Sequence, residues 1–103
     1  MRSPTGFPNR DRMTRDRAET IAVAGLSFLA EEPEALGRFL SATGLGPETL
    51  RAAAGEPGFL LAVLEYLMGD ESLLLVFVER ERLRPTTIMA ARHALDPASE
   101  GWS

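Results

Sequence analysis

Apolar residues in the first third of the chain recur with the spacing of an α-helix. Four of them stand at i, i+3, i+4 and i+7, which places them on one helical face: Ile21, Ala24, Gly25 and Phe28. Asp16 and Glu19 have the spacing of a capping box with an acidic cap, a feature that starts helices. The pattern therefore predicts a first helix over residues 15–31.

Proline and glycine then alternate along the chain. Proline suits the first turn of a helix because its missing N–H has no partner there, and glycine suits the end because it adopts left-handed backbone angles. The prolines are Pro33, Pro47, Pro57 and Pro85, and the glycines are Gly44, Gly55 and Gly69. Together they predict helices at residues 33–43, 47–54, 57–68, 70–83 and 85–95.

Six consecutive apolar residues, 73–78, fit either a buried strand or a helix. The helix is favoured because Asp70 can cap it, Glu71 suits the positive end of its dipole, and no second strand is predicted to pair with it. A helix that is apolar nearly all round belongs at the centre of a domain. The predicted fold class is all-α, a compact bundle of five or six short helices around a central apolar helix at about residues 70–83.

The predicted core follows from the apolar faces of these helices. It consists of Ile21, Phe28, Leu29, Leu36, Phe39, Leu40, Leu50, Phe59, Leu60, Val63, Leu64, Leu67, Leu74, Phe77, Val78, Ile88 and Leu95. Two helices also contain an interior glycine, Gly25 and Gly37, at a cost of about 1 kcal/mol each relative to alanine. Close approach between helices is the favoured explanation, and a kink is the alternative.

The chain of 103 residues has room for one domain. We expect a disordered N-terminal extension over residues 1–13, a single helical domain over 14–96 and a disordered tail over 97–103. Met13 offers a second start of translation.

Residues 30–50 resemble residues 54–74 at an offset of about 24 residues. One explanation is a repeat of helical hairpins. The other is that helices begin with similar residues wherever they occur.

Charge is unevenly distributed. All 11 basic residues are arginine, and the net charge is −4. Five arginines against two aspartates give residues 1–17 a charge of about +3, so the remainder carries about −7. The basic arm is interpreted either as a contact for nucleic acid or an acidic partner or as a solvated leader.

Composition also bears on location. No apolar run approaches the roughly 18 residues of a membrane span, no secretory signal begins the sequence, and no cysteine is present. We therefore expect a cytoplasmic protein without a membrane segment. The arginine-only basic set with abundant Ala, Gly, Leu and Pro suggests a bacterium with a GC-rich genome.

Residues suited to catalysis are few. His93 is the only histidine and lies off the apolar stripe of its helix, so a surface position is expected and a metal site is not. The serines lack the strand–turn–helix context of a nucleophile. The segment Gly44-Leu45-Gly46-Pro47 lacks the lysine of a phosphate loop. We accordingly predict no catalytic, cofactor-binding or metal-binding residue, no cofactor and no enzyme activity.

The helix pair at residues 70–95 invites comparison with DNA-binding helix pairs. Its arginines are Arg80, Arg82, Arg84 and Arg92. Glu79 and Glu81 lie among them, and the negative charge of the domain is repelled by the phosphates of nucleic acid, which opposes binding. Nucleic-acid binding is therefore the less favoured prediction.

Several segments resemble the domain-of-unknown-function family 3572, a family of short alphaproteobacterial proteins. They are Ala18-Glu19-x-Ile21-Ala22 with Leu26, Phe28 and Leu29, then Gly44-Leu45-Gly46-Pro47-Glu48-Thr49-Leu50-Arg51, Pro57-x-Phe59-Leu60 and Asp70-Glu71-x-Leu73-Leu74. The similarity covers most of residues 15–95. The resemblance implies an all-helical domain and no particular activity, cofactor or partner.

Apolar helix faces in a small domain without catalytic groups favour one class of function. We expect a non-enzymatic helical module that binds another protein, whose identity and binding residues the sequence leaves unknown. Self-association into a homodimer is a variant of this hypothesis. The alternative is nucleic-acid binding by the helix pair at 70–95 or by the arginine-rich N-terminal arm.

Overall fold

The structure is a computed structural model that describes residues 12–53 and 55–100. This part of the chain is folded into helices and contains no strand. In chain order they are α1 (Arg15–Ala30), α2 (Pro33–Thr43), α3 (Pro47–Ala53), α4 (Pro57–Met68), α5 (Glu71–Glu81), α6 (Pro85–Leu95) and α7 (Pro97–Glu100). The predicted all-α fold is confirmed, and the six predicted helices match α1 to α6.

The starts of the helices follow the prolines. Pro33, Pro47, Pro57 and Pro85 are the first residues of α2, α3, α4 and α6. At these positions proline loses no hydrogen bond, since the first N–H groups of a helix have no intrahelical acceptor. Local backbone chemistry therefore sets most of the boundaries.

Two helices instead begin at side-chain caps. Asp70 caps α5 as predicted, because its Oδ1 accepts a hydrogen bond from the Leu73 N–H at 3.2 Å. The capping box predicted at Asp16 is wrong. Thr14 is the N-cap of α1, and its Oγ1 accepts from the Arg17 N–H at 3.1 Å, so that Asp16 lies in the first turn.

The ends of the helices follow the glycines only in part. Gly44 ends α2 with a left-handed φ of 77°, as predicted. Gly69 follows α4 but keeps a right-handed φ of −82°. Arg82 takes the left-handed conformation at the end of α5, with a φ of 58°. The next N–H, that of Leu83, donates to the Val78 carbonyl oxygen at 2.8 Å, which completes a Schellman-type cap.

The centre of the bundle is a group of three helices. α1, α4 and α6 make the most extensive contacts with one another, and α2 packs on α1. α5 packs at the edge, against α4 and α6. The predicted central position of the 70–83 helix is therefore wrong: Phe77 and Val78 are buried, but Leu75 and Val76 face outward.

Thirteen of the predicted core residues are buried, and the other four are partly buried against the core: Leu36, Leu40, Leu50 and Leu74. Among the described residues, the buried hydrophobic side chains that the predicted core omitted are those of Ala18, Ala22, Ala35 and Ala91. A small side chain adds little to a hydrophobic pattern, and its burial depends on how closely a neighbouring helix approaches.

The two interior glycines differ. A Cβ on Gly25 would lie 2.9 Å from Leu67 Cδ1 and 3.3 Å from Val63 Cγ1, so α1 and α4 approach closely there, as predicted. A Cβ on Gly37 would meet nothing within 4 Å. The packing explanation is therefore wrong for Gly37, which lies on the exposed side of α2.

The ends of the domain extend slightly beyond the prediction. Met13, assigned to the disordered extension, is partly buried against the core. Residues 97–100, assigned to the disordered tail, form the short helix α7. Of the basic arm at residues 1–17, residues 1–11 lie outside the described residues, whereas Arg15 and Arg17 belong to the first turn of α1. None of the helices described is long and apolar enough to cross a membrane.

Candidate interaction surface

α5 carries large apolar side chains on both its sides. Phe77 is fully buried and Val78 is 5% exposed, whereas Leu75 is 49% exposed and Val76 is 53% exposed. Successive residues of an α-helix are about 100° apart, so six consecutive apolar residues necessarily surround the helix. Because α5 lies at the edge of the bundle, part of this apolar surface faces solvent.

The exposed residues form one stripe along the helix. Ser72, Leu75, Val76 and Glu79 stand at i, i+3, i+4 and i+7, and all four are exposed. We call these four residues the α5 outer face. The two apolar side chains occupy the middle of an 11-residue helix, with one polar residue toward each end. Such an arrangement can bury an apolar centre within a polar rim.

The inner side of α5 is held against the end of α1. The Phe28 and Phe77 rings pack with centroids 5.5 Å apart. The Arg80 guanidinium lies 5.8 Å from the Phe28 ring centroid and forms an ion pair with Glu31 at 2.7 Å. The hydrogen bond from Arg80, assisted by its positive charge, lowers the pKa of Glu31. These contacts fix which side of α5 faces outward.

The start of α5 is flanked by a second polar group on α2 and α4. The Arg38 guanidinium donates a hydrogen bond to the Tyr66 phenol, and this bond is the main cause that raises the pKa of Arg38. Asp70 adds a smaller electrostatic contribution. The Tyr66 ring packs edge-on against Phe39 with centroids 5.3 Å apart. Arg38 and Tyr66 thus connect α2 to α4 beside the residue that caps α5.

The arginines of the α5–α6 pair are only partly available to a ligand. Arg80 pairs with Glu31, and Arg92 pairs with Glu65 of α4 at 2.8 Å. Arg82 and Arg84 are exposed in the turn between the helices. Within residues 12–53 and 55–100 neither of these two forms an ion pair. Two of the four arginines therefore serve the fold.

The other candidates for chemistry lie on different elements of the fold. His93 is exposed on α6, where the sequence placed it. Across the described part of the chain, no group of three or more His, Asp or Glu side chains is positioned to hold a metal ion. The Gly46 N–H donates to the Thr49 hydroxyl at 3.2 Å, so the Gly44–Pro47 segment serves as the turn into α3.

Apart from the α5 outer face, a concave surface lies between α1 and the turn before α4. This cleft of about 480 Å³ is lined by Asp16, Glu19, Thr20, Val23, Gly55 and Leu60. Val23 is 47% exposed at this cleft. The chain thus offers two separate surfaces at which a half-exposed valine on a helix faces solvent, and this gives a matched pair for mutagenesis.

Comparison with models of protein families identifies the family of the chain. Residues 15–98 match the model of the protein family of unknown function DUF3572. The chain belongs to this family. The DUF3572 match runs from the start of α1 into α7 and includes the whole α5 outer face. It confirms the resemblance found in the sequence. No curated protein and no solved structure matches the chain.

The sequence did not single out the α5 outer face, because the run at 73–78 was interpreted as buried on all sides. A signal was nevertheless present. Ser72 and Glu79 are seven residues apart, so they share a helical face, and a polar residue at both positions marks that face as solvent-exposed. Leu75 and Val76 lie between them on the same face.

Proposed function

We propose that this member of DUF3572 is a non-enzymatic helical module that binds another protein through the α5 outer face. The observation that carries the proposal is the half-exposed pair Leu75 and Val76 in the middle of a helix whose opposite side is anchored in the core. A single exposed apolar residue is ordinary on a protein surface, whereas contiguous apolar patches rimmed by polar residues mark interaction sites, and Leu75 and Val76 are adjacent.

The surroundings of the face support this proposal. The contacts of Phe77 with Phe28 and of Arg80 with Glu31 hold α5 in place. A partner that docks on a helix anchored in this way orders few additional groups, so less of the binding energy is lost to conformational entropy. We further propose that the protein acts in the bacterial cytoplasm, which the absence of cysteine and the arginine-only composition support.

The test compares two valines. Tagged wild type, Val76→Glu and Val23→Glu are used to capture proteins from a native lysate, followed by quantitative mass spectrometry. Val76 and Val23 are 53% and 47% exposed, so a glutamate at either position leaves the core intact. We expect Val76→Glu to reduce recovery of the specific partner by about tenfold or more, which corresponds to a loss of about 1.4 kcal/mol of binding free energy. Val23→Glu should leave the recovery unchanged.

Circular dichroism and urea unfolding of both variants show whether each remains folded. Equal recovery by wild type and Val76→Glu contradicts the proposal. Loss only with Val23→Glu places the binding surface at the α1 cleft instead.

Nucleic-acid binding is a second candidate, supported by the exposed pair Arg82 and Arg84 between α5 and α6. It predicts binding of a labelled duplex that weakens steeply with salt and is reduced in Arg84→Glu. No change in fluorescence anisotropy at low salt would remove this candidate.

A further inference from the structure

We infer that the α5 outer face binds a second copy of this chain, with the two α5 helices antiparallel around a two-fold axis between Leu75 and Val76. This inference rests on the proposed function, because it names the partner of the same surface. Three features of α5 support it: the position of the apolar pair, the polar residues beside it and the charges at the helix ends.

The first feature is the central position of the apolar pair. α5 spans Glu71–Glu81, so its midpoint is Val76. We consider an antiparallel pair centred between residues 75 and 76. Leu75 of the first copy then lies opposite Val76 of the second copy, and Val76 of the first lies opposite Leu75 of the second. A two-fold interface uses the same patch on both copies and must be self-complementary. An apolar pair at the midpoint satisfies that condition, since each apolar residue meets an apolar residue.

The second feature is the polar residues of the same stripe. The same register places Ser72 of one copy opposite Glu79 of the other. The serine hydroxyl is a donor and the glutamate carboxylate is an acceptor. A parallel arrangement would instead set Glu79 against Glu79, which brings two like charges together. The outer face is therefore complementary to itself in the antiparallel direction only.

The third feature is the charge at the two ends of α5. Glu71 is exposed at the start, and Arg82 and Arg84 are exposed beyond the end. Residue 71 of one copy lies opposite residue 80 of the other, and Arg82 lies about 3 Å farther along the axis at 1.5 Å per residue. That separation is within the reach of an arginine side chain. The antiparallel arrangement also opposes the two helix dipoles.

The extent of the face sets the strength of the interaction. An 11-residue helix is about 16 Å long, and one such helix buries less than the roughly 800 Å² per partner of a stable complex. We therefore expect reversible association with a dissociation constant in the range of roughly 10 µM to 1 mM.

The first experiment measures association of the full chain by sedimentation velocity from about 10 µM to about 1 mM. We expect the weight-average sedimentation coefficient of the wild type to rise toward that of a dimer. Val76→Glu should weaken association at least tenfold, and Val23→Glu should leave it unchanged.

The second experiment tests the antiparallel arrangement by charge exchange. Glu71→Arg and Arg82→Glu each place like charges together in the homodimer, so each variant alone should associate more weakly than the wild type. An equimolar mixture restores both opposite-charge pairs and should recover association. Glu48→Arg on α3, also exposed, controls for the change in net charge.

The outcomes separate this inference from the proposed function. A wild type that stays monomeric up to 1 mM, or a mixture that associates no better than its components, overturns the inference. If Val76→Glu still abolishes capture of a different protein in either case, the face binds another partner and the proposed function stands. If neither self-association nor capture depends on Val76, both fail.

Discussion

Gly25 of α1 and Leu67 of α4 lie so close that a Cβ on Gly25 would be 2.9 Å from Leu67 Cδ1. Leu67 is fully buried, and Val63 Cγ1, at 3.3 Å from the same point, closes the other side. The core of the domain therefore depends on the absence of a side chain at position 25.

The first prediction follows from this contact. We expect Gly25→Ala to lower the free energy of unfolding, because overpacking costs typically 1–3 kcal/mol and the gain in helix propensity offsets only about 1 kcal/mol. Gly37→Ala is the matched control, since its Cβ meets nothing within 4 Å. It should raise the free energy of unfolding by up to about 1 kcal/mol. Urea unfolding measures both, and a stabilised Gly25→Ala would contradict the prediction.

A second prediction concerns the left-handed ends of α2 and α5. Gly44 has a φ of 77° and Arg82 a φ of 58°. Side chains in this conformation cost roughly 1–2 kcal/mol, so Gly44→Ala should destabilise the domain by about 1 kcal/mol. Arg82→Gly should stabilise it by up to about 1 kcal/mol, because glycine adopts this conformation without that cost.

Thermal unfolding of both cap variants is measured at low protein concentration, where association through Arg82 does not contribute. Opposite signs for the two variants are expected. A loss of stability in Arg82→Gly would mean that its side chain, rather than its backbone angle, governs the end of α5.

The third prediction uses the two sides of α5. Phe77 is fully buried against Phe28, so Phe77→Ala should cost about 3–5 kcal/mol. Leu75 is 49% exposed, and Leu75→Ala should change stability by about 0.5 kcal/mol or less, as surface substitutions do. Guanidinium unfolding checks this contrast. Equal losses from the two truncations would indicate that α5 is buried on both sides.

The fourth prediction is a pH dependence at the Glu31–Arg80 pair. The hydrogen bond from Arg80 lowers the pKa of Glu31 below its ordinary 4.5. A carboxyl whose pKa is lower in the folded state stabilises the fold above its unfolded pKa, and this contribution is lost as the pH falls through the folded pKa. We expect Glu31→Gln to be less stable than the wild type at neutral pH, and the difference to disappear in acid below 4.5.

The size of this effect should be small, because both side chains are exposed. Glu48→Gln provides the control, since Glu48 is an exposed glutamate on α3 that forms no ion pair within the described residues. Chemical unfolding midpoints across the pH range give the comparison. A Glu31→Gln deficit that is independent of pH would exclude the ion pair as its cause.

The boundaries of the helices were available from the sequence because local interactions set them. Pro57 and Pro85 begin α4 and α6 where predicted, and Asp70 caps α5. Each of these signals acts on backbone groups within about four residues. At the start of α1 the capping-box pattern predicted the wrong cap, because threonine and aspartate side chains can both accept this hydrogen bond and Thr14 is the residue that does.

The sequence by itself determined the six helices α1 to α6 and, apart from the cap of α1, where they begin. Only the tertiary structure decided which side of each helix is buried. A run that is apolar in every direction, such as 73–78, has no preferred side, and the neighbouring helices leave Leu75 and Val76 outside. The same holds for Gly25 and Gly37, which are alike locally but differ in whether another helix lies against them. Burial is a property of the contact between helices, and that contact joins residues distant in the chain.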